Sequence, residues 1–389
     1  MAKKSYQRKI VLIDAHAILH RAYHALPDFS SREGEPTGAL YGLSAMLLRL
    51  IDELKPDYIF ACYDRPEPTF RKQVYEDYKA GRAKAEPELI AQIIRSRDIF
   101  QAFQIPIYDQ PGLEADDIIG TLTYILAQDK DNQVVIASGD MDTLQLVRED
   151  QVLVFTLKKG LNDTITYDER MVKERYGFAP RFLIDYKGLR GDPSDNIIGV
   201  PGIGEKTATD LIKEFGTIEN LYQAIKTNEA KVIDKGVKSR ILEILKANEE
   251  EALFSKALAT VRLDAKIDFV LPAETWQKTF DLAPVEKIFS QLEFRSLIGR
   301  LQKVFSAVGQ RGGGETGKDV SLENWRPLAI ALWLINSDLT NPKVEDIWSY
   351  TGSQDYELSK KKLLADLDKL GLTKVYQEIE LPLVPIIKS

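Results

Sequence analysis

The chain has 389 residues, 44% of them hydrophobic and 29% charged, with a formal net charge of −7. It is long enough for two or three domains, and no apolar run approaches the ~18 residues that a membrane span requires. Its one cysteine, Cys62, sits in the apolar run YIFACYD, which rules out a disulfide framework, favours a cytosolic setting and reads as a small buried hydrophobe.

In chain order, the basic start MAKKSYQRK leads into a strand-like run, not the apolar core of a secretory signal. IVLID (10–14), YIFACYD (58–64), VVIASGD (134–140) and VLVFT (152–156) predict short strands buried on both faces. Between them, Leu40, Leu43, Leu47, Leu50 and Leu54 mark one helical face, and Ile118, Ile119, Leu122, Ile125 and Leu126 mark another. This alternation predicts an α/β fold with a mostly parallel sheet. Residues 176–270 read as all-helical, and 281–303 add one or two helices. The Gly-rich stretch SAVGQRGGGETGKDVSLEN (306–324) reads as a flexible linker before a small helical segment, 325–389.

Three predicted strands end in aspartate: Asp14, Asp64 and Asp140. In open α/β sheets ligands gather beyond the carboxyl ends of the strands. Three local clusters add Glu114, Asp116 and Asp117 in GLEADD, Asp142 in GDMD, and Asp192 and Asp195 in GDPSDN. Any one cluster could be a solvated turn or a helix start that favours acids. Nine converging carboxylates would raise one another's pKa values unless cations stood among them, and all-oxygen ligand sets suit Mg²⁺ or Mn²⁺. Without these nine acids the formal charge of the chain is slightly positive.

FRKQVYEDYKAGRAK (70–84) places Arg71, Lys72, Lys79, Arg82 and Lys84 among Tyr75 and Tyr78, a mixture that suits a phosphate backbone and stacked bases. GVPGIGEKTA (199–208) reads as a Gly-x-Gly turn entering a helix, whose free N–H groups can meet a phosphate. His16, His20 and His24 lie four apart on one predicted helix; with no Cys partner and no zinc-protease glutamate they read as ordinary packing or surface histidines.

VLIDAHAILHRAYHALP, TGALYGLSAMLLRLI, FRKQVYEDYKAGRA, GLEADDIIGTL, SGDMDTLQLV and LRGDPSDNIIGVPGIGEKTA together resemble the 5′-nuclease domain of bacterial DNA polymerase I, of the flap endonuclease family, over roughly residues 8–304. The resemblance implies a PIN-like core at 1–175 with a helical arch at about 70–90. A helical, helix-hairpin-helix DNA-binding subdomain follows at 176–304, then the linker at 305–324. By the same likeness, 325–389 would be a remnant of a proofreading-type domain. Its Tyr-x-x-x-Asp motif would fall near Tyr356 with Lys360 in place of the acid, so neither proofreading nor polymerisation is expected.

By motif match, Asp14, Asp64, Glu114 and Asp116 would hold a first divalent ion and Asp140, Asp142 and Asp195 a second, with Asp117 and Asp192 in support. Arg21, Tyr78, Lys79 and Arg82 would steer the scissile phosphate. Arg71, Lys72, Gly202, Gly204 and Lys206 would contact DNA, and a potassium ion would sit at the hairpin turn. Met141 stands where the family usually has Lys or Arg. The implied protein is a monomeric cytoplasmic nuclease of the bacterial nucleoid, cleaving branched or nicked DNA with a 5′ flap. The alternative is a non-catalytic or split part that binds DNA and works with a separate polymerase chain.

Overall fold

The computed structural model describes residues 6–383, apart from 28, 83, 160–162, 310–321, 337–338, 340–341, 343 and 354. The chain divides into two compact units, Met1–Ile288 and Phe289–Ser389.

The first unit is built on a six-stranded sheet. Its strands are β1 (Arg8–Asp14), β2 (Tyr58–Cys62), β3 (Ile107–Tyr108), β4 (Asn132–Ala137), β5 (Val152–Lys159) and β6 (Asp163–Tyr167). Their order is β3-β2-β1-β4-β5-β6, with every pairing parallel except the antiparallel β5–β6 edge. The four predicted strands are all present. The two edge strands were not anticipated: β3 is too short to show a pattern, and β6, DTITY, alternates weakly and sits at an exposed margin.

Ile10, Val11, Leu12 and Ile13 are wholly buried, as the central strand of a sheet covered on both faces requires. One cover is α1 (Ala15–Ala25), α2 (Gly38–Leu54) and α4 (Pro87–Ala102); the other includes α5 (Ala115–Leu126). Among the described residues between β2 and α4, only α3 (Phe70–Val74) is helical, which corrects the expected helical arch; turns carry the chain through Tyr78 and Lys79. Cys62 is buried with no disulfide partner.

Beyond β6 the unit is helical: α6 (Glu169–Tyr176), α7 (Leu183–Arg190), α8 (Glu205–Phe215), α9 (Ile218–Thr227), α10 (Glu229–Asp234), α11 (Ser239–Ala247) and α12 (Glu249–Ala259). Helix α7 packs against α8 and α12, so its continuation into the 191–204 loops is held from two sides. Within that loop Gly199 has φ +68°, and a Cβ there would lie 2.1 Å from the Gly191 nitrogen. Only glycine allows the two backbones to close the loop that carries Asp192 and Asp195.

In the second unit, Leu322–Ile335, Val344–Thr351 and Tyr356–Lys369 are helices around Trp325, Leu328, Leu332, Ile347, Leu363 and Leu367. Of the expected linker, 305–309 continues the helix Arg295–Gly309 and 310–321 lies outside the described residues.

Candidate active site

The carboxylates are positioned by ordinary backbone devices at the carboxyl edge of the sheet. Asp14 ends β1 and caps α1, accepting the Ala17 N–H at 3.0 Å, while its other oxygen accepts the Ser138 hydroxyl at 2.7 Å. Asp64, two residues past β2, accepts the Ala115 N–H at 2.7 Å in the first turn of α5. That turn carries Glu114 at its cap and Asp116 within it. Asp140 follows β4 and caps the short helix Met141–Leu146, accepting the Asp142 N–H at 2.9 Å. The Ser138 hydroxyl also accepts the Asp140 N–H at 2.9 Å, so one side chain ties two strand ends together. Asp14, Asp64, Glu114, Asp116, Asp140 and Asp142 line one cavity of about 690 Å³, along with Lys79, Arg82, His16 and His20.

Basic side chains pair with some of the acids and leave others. Lys79 donates to Glu114 at 2.9 Å, Arg82 pairs with Asp195, and Lys187 donates to both Asp142 and Asp192. Among the described residues, Asp14, Asp116 and Asp140 have no basic partner, and Asp64 has only His16 at 3.8 Å. His16 Nδ1 accepts the Asp64 N–H at 3.2 Å, and burial holds its pKa below the ordinary value, so the ring is neutral and supplies no charge. Among the described residues no three acids or histidines close into a ready ligand shell. Like charges keep the carboxylates apart, and the chain's own ammonium and guanidinium groups stand between them.

Burial is the main perturbation. It pushes the Asp14 carboxyl up to about 7, with the Asp64 charge adding to the effect, and raises Asp116 well above its ordinary value. Asp142 is pushed up to about 6 by burial, against the pull of Lys187. Burial also opposes the charge on Lys79, but Glu114 and Asp195 outweigh it and hold the ammonium's pKa above its usual value.

The predicted site residues divide in the structure. Lys79 and Arg82 do face the acids. Arg21 is half-buried beside Gly139, with no carboxylate partner among the described residues. Tyr78 is buried: its hydroxyl lies 3.2 Å from Glu114 and 3.1 Å from Asp195, bridging two acids instead of facing the cavity. Burial between those two negative charges keeps the phenol protonated.

Arg71 requires a correction as a DNA contact. It is 3% exposed, and its guanidinium is used up by Asp117 (2.8 Å on both arms) and by the carbonyls of Leu258 and Thr260. Asp117 is correspondingly fully buried and outside the cavity, so its expected support of the metal site is corrected too: it anchors α5 by accepting the Glu114 and Arg262 N–H groups. Lys72 is exposed, yet its ammonium donates to the Glu76 and Tyr78 carbonyls and closes the turn they form. Asp192 is bound by Lys187 and accepts the Ser194 N–H at 2.9 Å. Gly202, Gly204 and Lys206 are exposed at the entry to α8.

Sequence reasoning missed Ser138 and Lys187. Ser138 lies two residues before Asp140 in the same motif, a signal that was available. Lys187 sits in an unremarkable helical turn and is recognised only from the fold.

Two family models match consecutive parts of the chain: the 5′-3′ exonuclease N-terminal resolvase-like domain over residues 9–177, and the 5′-3′ exonuclease C-terminal SAM fold over 178–280. DNA polymerase I of Bacillus caldotenax is 38% identical over 296 residues, covering 76% of this chain and 32% of the relative. The chain thus spans about a third of the length of the curated relatives it matches. The bacteriophage T5 5′-exonuclease with bound zinc shares the fold at TM-score 0.52 and 23% identity, covering 65% of this chain and 89% of that one. The T5 flap endonuclease in a complex with DNA and metal ions does so at 0.52 and 20%, covering 78% and 100%. The two matched models together span residues 9–280, and the chain belongs to the 5′-3′ exonuclease family.

Proposed function

We propose that the protein is a divalent-metal-dependent, structure-selective 5′ nuclease that hydrolyses DNA phosphodiesters at 5′ flaps and ends. The observation that carries this reading is the convergence of six carboxylates in one cavity, three of them without a basic partner among the described residues. Buried carboxylates of this kind ionise at neutral pH when a cation stands among them, and the donor set is all oxygen, which fits Mg²⁺ or Mn²⁺.

Asp14, Asp64, Glu114 and Asp116 would hold one ion and Asp140, Asp142 and Asp195 the other. Bound there, the ions would supply the Lewis acidity that activates a water and stabilises the leaving oxygen.

The chain's own groups do the rest. Arg21, with its guanidinium unpaired among the described residues, is available to a phosphate oxygen beside Gly139. Lys79 and Arg82 sit on the segment beside the acids, Lys79 partly buried and Arg82 exposed, and each can exchange a carboxylate for a substrate phosphate. Tyr78 holds that segment down. At the α8 entry, Gly202 has φ +92° and Gly204 has open space around it, so a phosphate backbone can approach closely. The potassium ion implied by the resemblance would belong to this turn.

The test is incubation of the purified chain with 5′-labelled flap DNA, with and without Mg²⁺. Short 5′-labelled products that require the metal would support the reading. Unchanged substrate in both Mg²⁺ and Mn²⁺, with the flap still bound, would favour a DNA-binding part that works with a separate polymerase. No helix among the described residues is long and apolar enough to cross a membrane, which accords with action on nucleoid DNA.

A further inference from the structure

Lys187 joins two parts of the chain that are far apart in sequence. It lies on α7, and its ammonium donates to Asp142, after the central β4 strand, and to Asp192, in the loop that leads to the α8 hairpin. Its side chain is 13% exposed, Asp142's is 23% and Asp192's is 12%. Burying an ammonium is costly, and two carboxylates repay that cost only if both remain charged and close. Met141, beside Asp142, brings no charge to this corner. Asp14 and Asp116, which line the same cavity as Asp142, have no such partner among the described residues.

We propose that Lys187 is a resident counter-ion that determines how tightly Asp142, one of the acids given to the second ion, takes a divalent cation. The inference rests on the metal-site reading above. With the ammonium in place the two carboxylates share one positive charge, so a divalent ion must displace the ammonium or share the oxygens with it. Lys187 is therefore a specificity-determining residue: it weakens divalent binding at this corner relative to the unpaired acids around Asp14, and holds the acid edge of the sheet to the hairpin segment meanwhile.

The test is calorimetric titration of the full chain with Mn²⁺, without DNA, alongside thermal melting in EDTA and in Mn²⁺. Lys187→Gln removes the charge at nearly constant length, and Lys187→Arg keeps it. K187Q should bind Mn²⁺ at its weaker site about tenfold more tightly than wild type, melt lower in EDTA and gain more from Mn²⁺. K187R should stay close to wild type in all three. Equal Mn²⁺ affinity in K187Q and wild type would overturn the inference, as would loss of the site in K187Q, which would make Lys187 a support for the site and not a competitor. If K187Q does not fold in EDTA, K187Q/D192N removes one charge of each sign and allows the same comparison against D192N alone. If wild type itself binds no Mn²⁺, the metal-site reading fails, an outcome distinct from the failure of this inference.

Discussion

Arg71 and Asp117 form a two-armed ion pair, 2.8 Å on each arm, wholly inside the protein. It links the segment after β2 to the first turn of α5, and through the Leu258 and Thr260 carbonyls to the end of α12. Removing one member leaves the other charge buried and alone. Arg71→Ala should therefore cost about 3–5 kcal/mol of unfolding free energy in a urea titration. A loss of flap affinity with unchanged stability would contradict the structural role.

Asp140→Asn and Asp142→Asn should each abolish cleavage and leave flap binding largely intact. Gel-shift and single-turnover measurements on the same preparations separate the two effects. Turnover in Mg²⁺ at the wild-type level for either variant would contradict the two-ion assignment.

Lys79→Ala should lower turnover more than it weakens duplex binding, because Lys79 reaches Glu114 within the cavity and not the hairpin surface. Equal losses in both would mean that Lys79 contributes only to general electrostatic attraction.

The raised pKa of Asp14 makes a statement about stability. Its folded value of about 7 lies above the ordinary 3.8, so the contribution is full below about pH 4 and is lost as pH rises through about 7. In EDTA the wild-type melting midpoint should fall between pH 5.5 and 8. Asp14→Asn, which cannot ionise, should flatten that slope and gain on the order of 2 kcal/mol at pH 8. A wild-type midpoint that does not move over this range would refute the linkage.

The hairpin offers a paired test. Gly202 has φ +92°, so Gly202→Ala should cost about 1 kcal/mol or more of stability along with DNA affinity. A Cβ on Gly204 meets nothing within 4 Å, so Gly204→Ala should fold normally and weaken only duplex binding. Unchanged binding in Gly204→Ala would argue against close approach of a phosphate at this turn.

Much of this protein could be read directly from local pattern. Short apolar strands alternating with amphipathic helices specify a parallel sheet because burial on both faces leaves no other arrangement, and a strand that ends in Asp puts that Asp on the sheet's carboxyl edge. The place of Asp14, Asp64 and Asp140 on one cavity was legible for that reason, and that of Glu114, Asp116 and Asp142 by their clustering; Asp195 instead pairs with Arg82 and Tyr78 outside the cavity lining. Charge alone does not say which way a side chain points. Arg71 and Lys79 stand in one basic run, yet the short helix turns Arg71 inward to Asp117 while the following turn carries Lys79 to the cavity. Asp117 and Asp116 are adjacent in sequence, but successive helical positions lie about 100° apart, so one is buried and the other opens to the site. Lys187 gains its meaning only when α7 is laid beside Asp142. Local pattern specifies which acids gather at the sheet edge; the folded arrangement sets which charges face one another, because pairing across 45 residues depends on packing and not on spacing.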